Sequence, residues 1–120
     1  MNIVAIRAAT TVDVDSKSAI EEAVVELIAA MMKANNLTED NLISIFFTST
    51  PDLKSEFPAT AARKAGLSNT PLICAQELDI AGALPRTIRL MAHASSESHK
   101  GQIEHVYLRN AVALRKDLNK

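Results

Sequence analysis

A chain of 120 residues carrying 13 basic and 14 acidic side chains has the length of one domain, 1–120, and lacks the basic stripe and interleaved aromatics of a nucleic-acid binder. Hydrophobic residues make up 48% but aromatics only 3%, and nineteen alanines fill much of the difference, so part of the apolar surface is expected to be buried against other subunits. One cysteine, Cys74, excludes a disulfide framework, and the longest apolar run, Leu27 to Met32, is too short to span a membrane.

Ile3 to Ala9 reads as a first strand. Its apolar start, Ile3 to Ile6, ends at Arg7 and is too short for a signal peptide, so a cytoplasmic protein is expected. Thr10 to Asp15 is a polar exit. Asp15 or Ser18 could then cap a helix, with Ser18-x-x-Glu21 in capping-box form. Ile20, Val24, Leu27, Ile28 and Met31 recur at helical spacing and give that helix one apolar face, running to about Lys33. Leu42 to Thr48 is β-branched and aromatic enough for a second strand, broken by Ser49-Thr-Pro-Asp52. Pro58 opens a short alanine-rich helix, Ala59 to Ala65, with Gly66 where a C-terminal cap belongs. Leu72 to Cys74 is a brief third strand and Gln76 to Pro85 a loop. Arg86 to Ala94 alternates as a fourth strand. After a polar loop, Val106 to Leu108 and Ala111 to Leu114 supply further extended chain, with Asn110 as a bend between them. The order β-α-β-α-β-β has too few helices for a doubly wound sheet. An α+β domain is expected, with a mixed sheet packed by one long and one short helix and its other face left for subunit association.

Three arginines stand alone in these strand-like runs: Arg7, Arg89 and Arg115. A guanidinium cannot shed its charge, so a half-buried strand position is costly for it unless an anion or carboxylate meets it. Alternatively each lies along the sheet with its head in water. All three together favour a pocket for a small carboxylate-bearing molecule. Cys74-Ala-Gln-Glu77 lies at a strand end, where a carboxylate three residues after a thiol could share a cavity with it. With no His within eighteen residues, Cys74 is read as a hydrogen-bonding or buried thiol rather than a nucleophile. His93, His99 and His105 give weak support for a metal site. No phosphate loop, dinucleotide fingerprint or serine elbow is present. What remains is a cation-rich site with one carboxylate, one phenol (Tyr107) and little proton-transfer machinery.

Taken in order, Ile6-Arg-Ala-Ala-Thr-Thr-Val12, Ser49-Thr-Pro-Asp-Leu53, Phe57-Pro-Ala59, Cys74-Ala-Gln-Glu-Leu-Asp79, Ile88-Arg89, His105-Val-Tyr-Leu108 and Val112-Ala-Leu-Arg115 resemble the small trimeric chorismate mutases of the α+β class, over nearly the whole chain. The resemblance implies conversion of chorismate to prephenate in the shikimate pathway of aromatic amino-acid biosynthesis, with no cofactor, no metal, and no nucleic-acid or membrane partner. It implies a pseudo-barrel homotrimer with sites between subunits. Arg89 would meet the ether oxygen, Arg7 and Tyr107 the enolpyruvyl carboxylate, and Glu77 and Cys74 the ring hydroxyl. Ile73, Ala75 and Gln76 would line a wall, Phe57 and Leu114 would supply apolar surface, and Arg63 and Arg115 would sit at the mouth. Phe57 and Cys74 would come from one chain and Arg7 and Arg89 from another, or a similar division. Ala5 and Ala8 stand where that family usually has glycine, Thr60 where a basic residue is common, and Ile73 where a hydroxyl residue is. A trimeric imine or enamine deaminase would also use an interface arginine on a carboxylate but would not need Glu77 and Tyr107 together with three arginines. A non-catalytic module sensing an aromatic amino acid or prephenate would keep Arg7 and the sheet but have no use for Arg89 aimed at an ether oxygen.

Overall fold

The computed structural model describes residues 1–117, with side chains through Leu114; Arg115 as a site residue lies outside the described side chains. Five strands form one mixed sheet: β1 (Asn2–Thr11), β2 (Leu42–Ser49), β3 (Leu72–Gln76), β4 (Thr87–Ser96) and β5 (Val106–Tyr107), in the spatial order β3-β2-β4-β1-β5. The centre is antiparallel, β2 with β4 and β4 with β1. Both edges are parallel, β3 on β2 and β5 on β1. One long helix, α1 (Lys17–Ala34), and one short helix, α2 (Pro58–Lys64), complete the α+β domain read from the sequence.

Alternation divides the sheet between two environments. Val4, Ile6 and Ala8 of β1, Ile45 and Phe47 of β2, and Leu90, Ala92 and Ala94 of β4 are buried with Ile20, Val24, Leu27, Ile28 and Met31 of α1 in one core. Three buried alanines of α2 (Ala59, Ala61, Ala62) let that helix seat closely on the same layer. The opposite sheet face has no cover: Ile3, Phe46, Ile73 and Met91 are exposed to 76%, 47%, 60% and 37%. A contiguous band of large apolar side chains on one face of a sheet is a common mark of an interaction surface.

Both helix ends follow from local chemistry. α1 ends in a Schellman turn, with Asn36 at φ +54 and the Leu37 N–H on the Met32 carbonyl at 2.9 Å. α2 ends the same way, with Gly66 at φ +113 and the Leu67 N–H on the Ala62 carbonyl at 3.1 Å, as Gly66 foretold.

Three local expectations are corrected. The N-cap of α1 is Ser16, whose hydroxyl accepts from the Ala19 N–H at 3.1 Å, rather than Asp15 or Ser18. Asp15 is engaged elsewhere, its carboxylate accepting from the Lys54 and Ser55 N–H groups at 3.0 and 3.1 Å. Glu21 pairs with Lys64 at 2.7 Å rather than closing a capping box. Thr10 and Thr11 continue β1 as buried residues instead of forming a polar exit. Ala111 to Leu114 is not extended: Arg109 turns the chain at φ +52, and Arg109–Asp117 coils as a 3-10 segment.

Removing the Ser16 cap in Ser16→Ala should lower unfolding stability by about 1 kcal/mol, read as a shift in urea midpoint, whereas Ser18→Ala should change it by less than about 0.5 kcal/mol.

Candidate active site

The β1–β4 register brings the candidate residues together. Arg7 lies opposite Met91, and Ala9 opposite Arg89. On its other side Ala9 is the parallel partner of Tyr107, and Arg89 is the antiparallel partner of Thr48. The row Tyr107, Ala9, Arg89, Thr48 therefore runs straight across four strands on the open face. With strands about 4.8 Å apart, Arg89 and Tyr107 stand about 10 Å from one another. The side chain between them is only a methyl group. Ala9 forms the floor and its two neighbours the walls of a cavity of about 470 Å³, lined by Arg7, Phe46, Met91 and Leu114 as well. That volume suits a small organic ligand.

Neither Arg7 nor Arg89 is buried in the single chain, so the desolvation argument that singled them out does not hold there. Their importance lies in convergence on one concave, mostly apolar surface. Arg89 Nε pairs with Glu77 Oε2 at 3.1 Å. The same oxygen accepts a hydrogen bond from the Thr48 hydroxyl at 2.6 Å. Pairing through Nε leaves the two terminal nitrogens of the fork to meet a ligand. Among the described residues Arg7 has no carboxylate partner, so its charge is open to an incoming anion.

Two devices hold the flanking pieces. Thr50, Pro51 and Asp52 stop β2 and seat the start of β4: the Thr50 N–H donates to the Thr87 carbonyl, the Thr87 N–H to Thr50 Oγ1, and the Arg86 N–H to Asp52 Oδ2, at 3.0, 2.9 and 2.9 Å. Arg86, at φ +45, precedes the strand rather than opening it. On the far edge, β5 is only two residues long. It is held by an exchange between Asn35 and the backbone of Glu104, two bonds of 2.9 Å, and by the Leu108 N–H on the Ala9 carbonyl, also 2.9 Å. His105 adds a third tie, its Nδ1 accepting the Arg7 N–H at 3.0 Å.

The remaining candidates gather elsewhere. Phe57, Cys74, Ala75 and Gln76 line a second cavity of about 400 Å³ with Ser49 and Leu53 to Pro58. Cys74 lies opposite Phe47, on the helix-covered side of the edge strand, whereas Glu77 reaches Thr48 and Arg89 on the open side. Within one chain the thiol and carboxylate thus do not share a cavity, because an odd spacing in extended chain sends side chains to opposite faces. Ile73 is exposed beside Phe46 on the open face, and Arg63 is exposed in the last turn of α2. Neither lines either cavity. The three histidines are dispersed, His93 by Ser44, His99 by Asn2 and His105 by Arg7. Among the described residues no three His, Cys, Asp or Glu side chains are grouped to hold a metal. No described helix is long and apolar enough to cross a membrane. Thr48 and Met91 were missed by the motif reading, and His105, which stands in the motif His105-Val-Tyr-Leu108, was given no role beside Arg7. Thr48 could have been found by pairing the second and fourth strands about Arg89. The tie between His105 and Arg7 depends on a parallel strand pair that periodicity cannot reveal.

The family model for chorismate mutase type I matches residues 3–118. The chain belongs to the type I chorismate mutases. It is 44% identical over 114 residues to chorismate mutase AroH of Thermus thermophilus, covering 94% of this chain and 93% of that one. It is 36% identical over 120 residues to chorismate mutase AroH of Bacillus subtilis strain 168, covering 99% and 94%. In structure the mutase superimposes on a chorismate mutase from Clostridium thermocellum with a TM-score of 0.89 at 43% identity, over 91% of this chain and 97% of that one. The α+β fold, the enzyme class and the family expected from the motifs are those found.

Burial, with the nearby Arg7 charge adding to it and Glu104 opposing it, holds the His105 imidazole below its usual 6.5. Its neutral form, which accepts the Arg7 N–H, is thus the native one. As pH falls, the unfolded chain takes up this proton first, so the stability present above about pH 6.5 is lost as pH drops below that value and through the lower folded-state one. Urea midpoints between about pH 7.5 and 5.5 should fall for the wild type and fall less steeply for His105→Gln. Equal slopes would assign the loss to another group.

Proposed function

We propose that this type I chorismate mutase rearranges chorismate to prephenate by electrostatic stabilisation and confinement, at sites completed between subunits of a homotrimer. The observation that carries the reading is the convergence of Arg7, Arg89 and Tyr107 on one cavity, with Arg89 already paired to Glu77.

The reaction breaks the ether C–O bond and forms a C–C bond in one intramolecular step. No proton moves and no covalent intermediate forms. An enzyme can lower such a barrier by holding the flexible substrate compactly and by meeting the charge that develops. Negative charge grows on the ether oxygen, and Arg89 is assigned to it. Its partner gains charge only as the bond breaks, so the interaction favours the transition state over bound substrate. Arg7 and Tyr107 take the enolpyruvyl carboxylate. Glu77 takes the ring hydroxyl and sets a negative charge against the electron-poor ring. Cys74 contributes a weak hydrogen bond, while Ile73, Ala75, Gln76, Phe57 and Leu114 form walls, and Arg63 and Arg115 draw the dianion to the mouth.

Division of the candidates between two separate cavities supports a shared site. Arg7, Arg89, Tyr107 and Leu114 form one half, and Phe57, Cys74, Ala75 and Gln76 the other. A trimer that buries the open face, with Ile3, Phe46, Ile73 and Met91 on it, can bring one half of each kind together at each interface. The reading includes a cytoplasmic protein that works without cofactor or metal, in the shikimate branch leading to aromatic amino acids.

Chorismate consumption, followed by loss of its diene absorbance, should persist with chelator present. In Arg89→Ala, kcat/KM should fall by about 10³-fold, while Lys33→Ala on the outer side of α1 keeps wild-type turnover. Full activity in Arg89→Ala would remove its assigned role. Mixing tests the shared site. Refolding inactive Arg89→Ala together with inactive Phe57→Asp should restore up to about a quarter of wild-type activity, because about one interface in four then receives two intact halves. Failure to recover any activity from mixed oligomers would mean that each chain carries its own complete site.

A further inference from the structure

Thr48 belongs to no motif in the sequence, yet it stands beside Arg89 in the cation-bearing row. It is on β2, with Arg89 of β4 on one side and Ala75 of β3 on the other. Its hydroxyl has one proton, and that proton goes to Glu77 Oε2 at 2.6 Å. The same oxygen meets Arg89 Nε at 3.1 Å. The Glu77 side chain is 17% exposed, against 45% for Arg89, so the carboxylate is the more enclosed partner. Its backbone is also tied to β2, through the Glu77 N–H on the Ser49 carbonyl at 2.9 Å.

We propose that Thr48 is a positioning residue for the rearrangement: its hydroxyl locks the Glu77 carboxylate, which in turn fixes the guanidinium of Arg89. The proposal rests on the roles assigned above to Arg89 and Glu77. An arginine on a strand has four rotatable bonds, and a single ion pair to a free carboxylate would let both side chains drift together. With Glu77 anchored by Thr48 and by its own backbone, the Nε contact becomes a fixed pivot, and the terminal nitrogens face the cavity before the ligand arrives. Thr48 and Arg89 both bond Oε2, so Oε1 is left to accept from a substrate hydroxyl. A donor spent on Glu77 cannot also serve the substrate, so Thr48 acts through its neighbours. Misplacement of a reacting group by about 1 Å can cost about 10²-fold in rate, which is the sensitivity such a lock protects.

Thr48→Val removes the hydroxyl and keeps the branched shape that suits a central strand. Thr48→Ser keeps the hydroxyl and loses a methyl. Thr48→Val should lower kcat about tenfold with KM changed less than about threefold, the loss expected for one hydrogen bond to a charged group. Thr48→Ser should stay within about twofold of wild type. In a Glu77→Ala background, Thr48→Val should have no further effect, since the hydroxyl then has nothing to hold. Wild-type kcat in Thr48→Val, equal losses in Val and Ser variants, or an undiminished loss in the Glu77→Ala background would each overturn the proposal. A wild type inert toward chorismate overturns the reaction assignment and this proposal together; an active wild type with an indifferent Thr48→Val overturns only the role of Thr48.

Discussion

The antiparallel register of β1 on β4 is the constraint from which the site follows. It sets Ala9 opposite Arg89 and Arg7 opposite Met91, and the β1–β5 pairing then sets Tyr107 beyond Ala9. A slip of one residue would turn one of the two strands over, sending Arg7 or Arg89 into the helix-covered core and its neighbour Ile6 or Ile88 outward. That error would bury a guanidinium group, so the hydrophobic pattern that folds the sheet also guards the placement of both cations. The cations thus ride on a rigid platform made of two ten-residue strands.

Charge in the cavity is balanced in an asymmetric way. Arg89 is matched by Glu77, while Arg7 has no carboxylate partner among the described residues. An anion entering the cavity therefore finds one cation ready to neutralise it and another already oriented by a carboxylate. Such a division suits a reaction in which one group holds the substrate and another answers charge that appears only midway. The apolar lining from Phe46, Met91 and Leu114 lowers the local polarity and strengthens both contacts.

Much of this architecture was legible from residue order. α1 followed from the spacing of Ile20 to Met31, and the end of α2 from Gly66, because helical periodicity and cap chemistry are local. Arg7 and Arg89 stood out because a cation in an apolar alternating run is rare, although their solvent exposure in the single chain shows that the stated reason, burial, was not the operative one. The N-cap was misassigned because Asp15 is claimed by the Lys54–Ser55 backbone, a partner about forty positions away that no local rule sees. The C-terminal segment departs from the extended reading because Ala111 to Leu114 is a short apolar run that suits strand and helix alike, while the turn at Arg109 is fixed by contacts with Thr11 and Glu26. The same limit hid Thr48 and the tie of His105 to Arg7, whose importance is a matter of what lies across the sheet.

The shortness of β5 has a consequence for how the enzyme would tolerate change. Two residues of ladder cannot hold a phenol in place, so the position of Tyr107 is delegated to an amide clasp at the far end of α1, where Asn35 exchanges hydrogen bonds with Glu104. Substitutions drifting into that remote helix terminus would shift the phenol while leaving the two-strand platform of the guanidinium groups untouched. The phenol and the two guanidinium groups are in this way anchored in different parts of the chain.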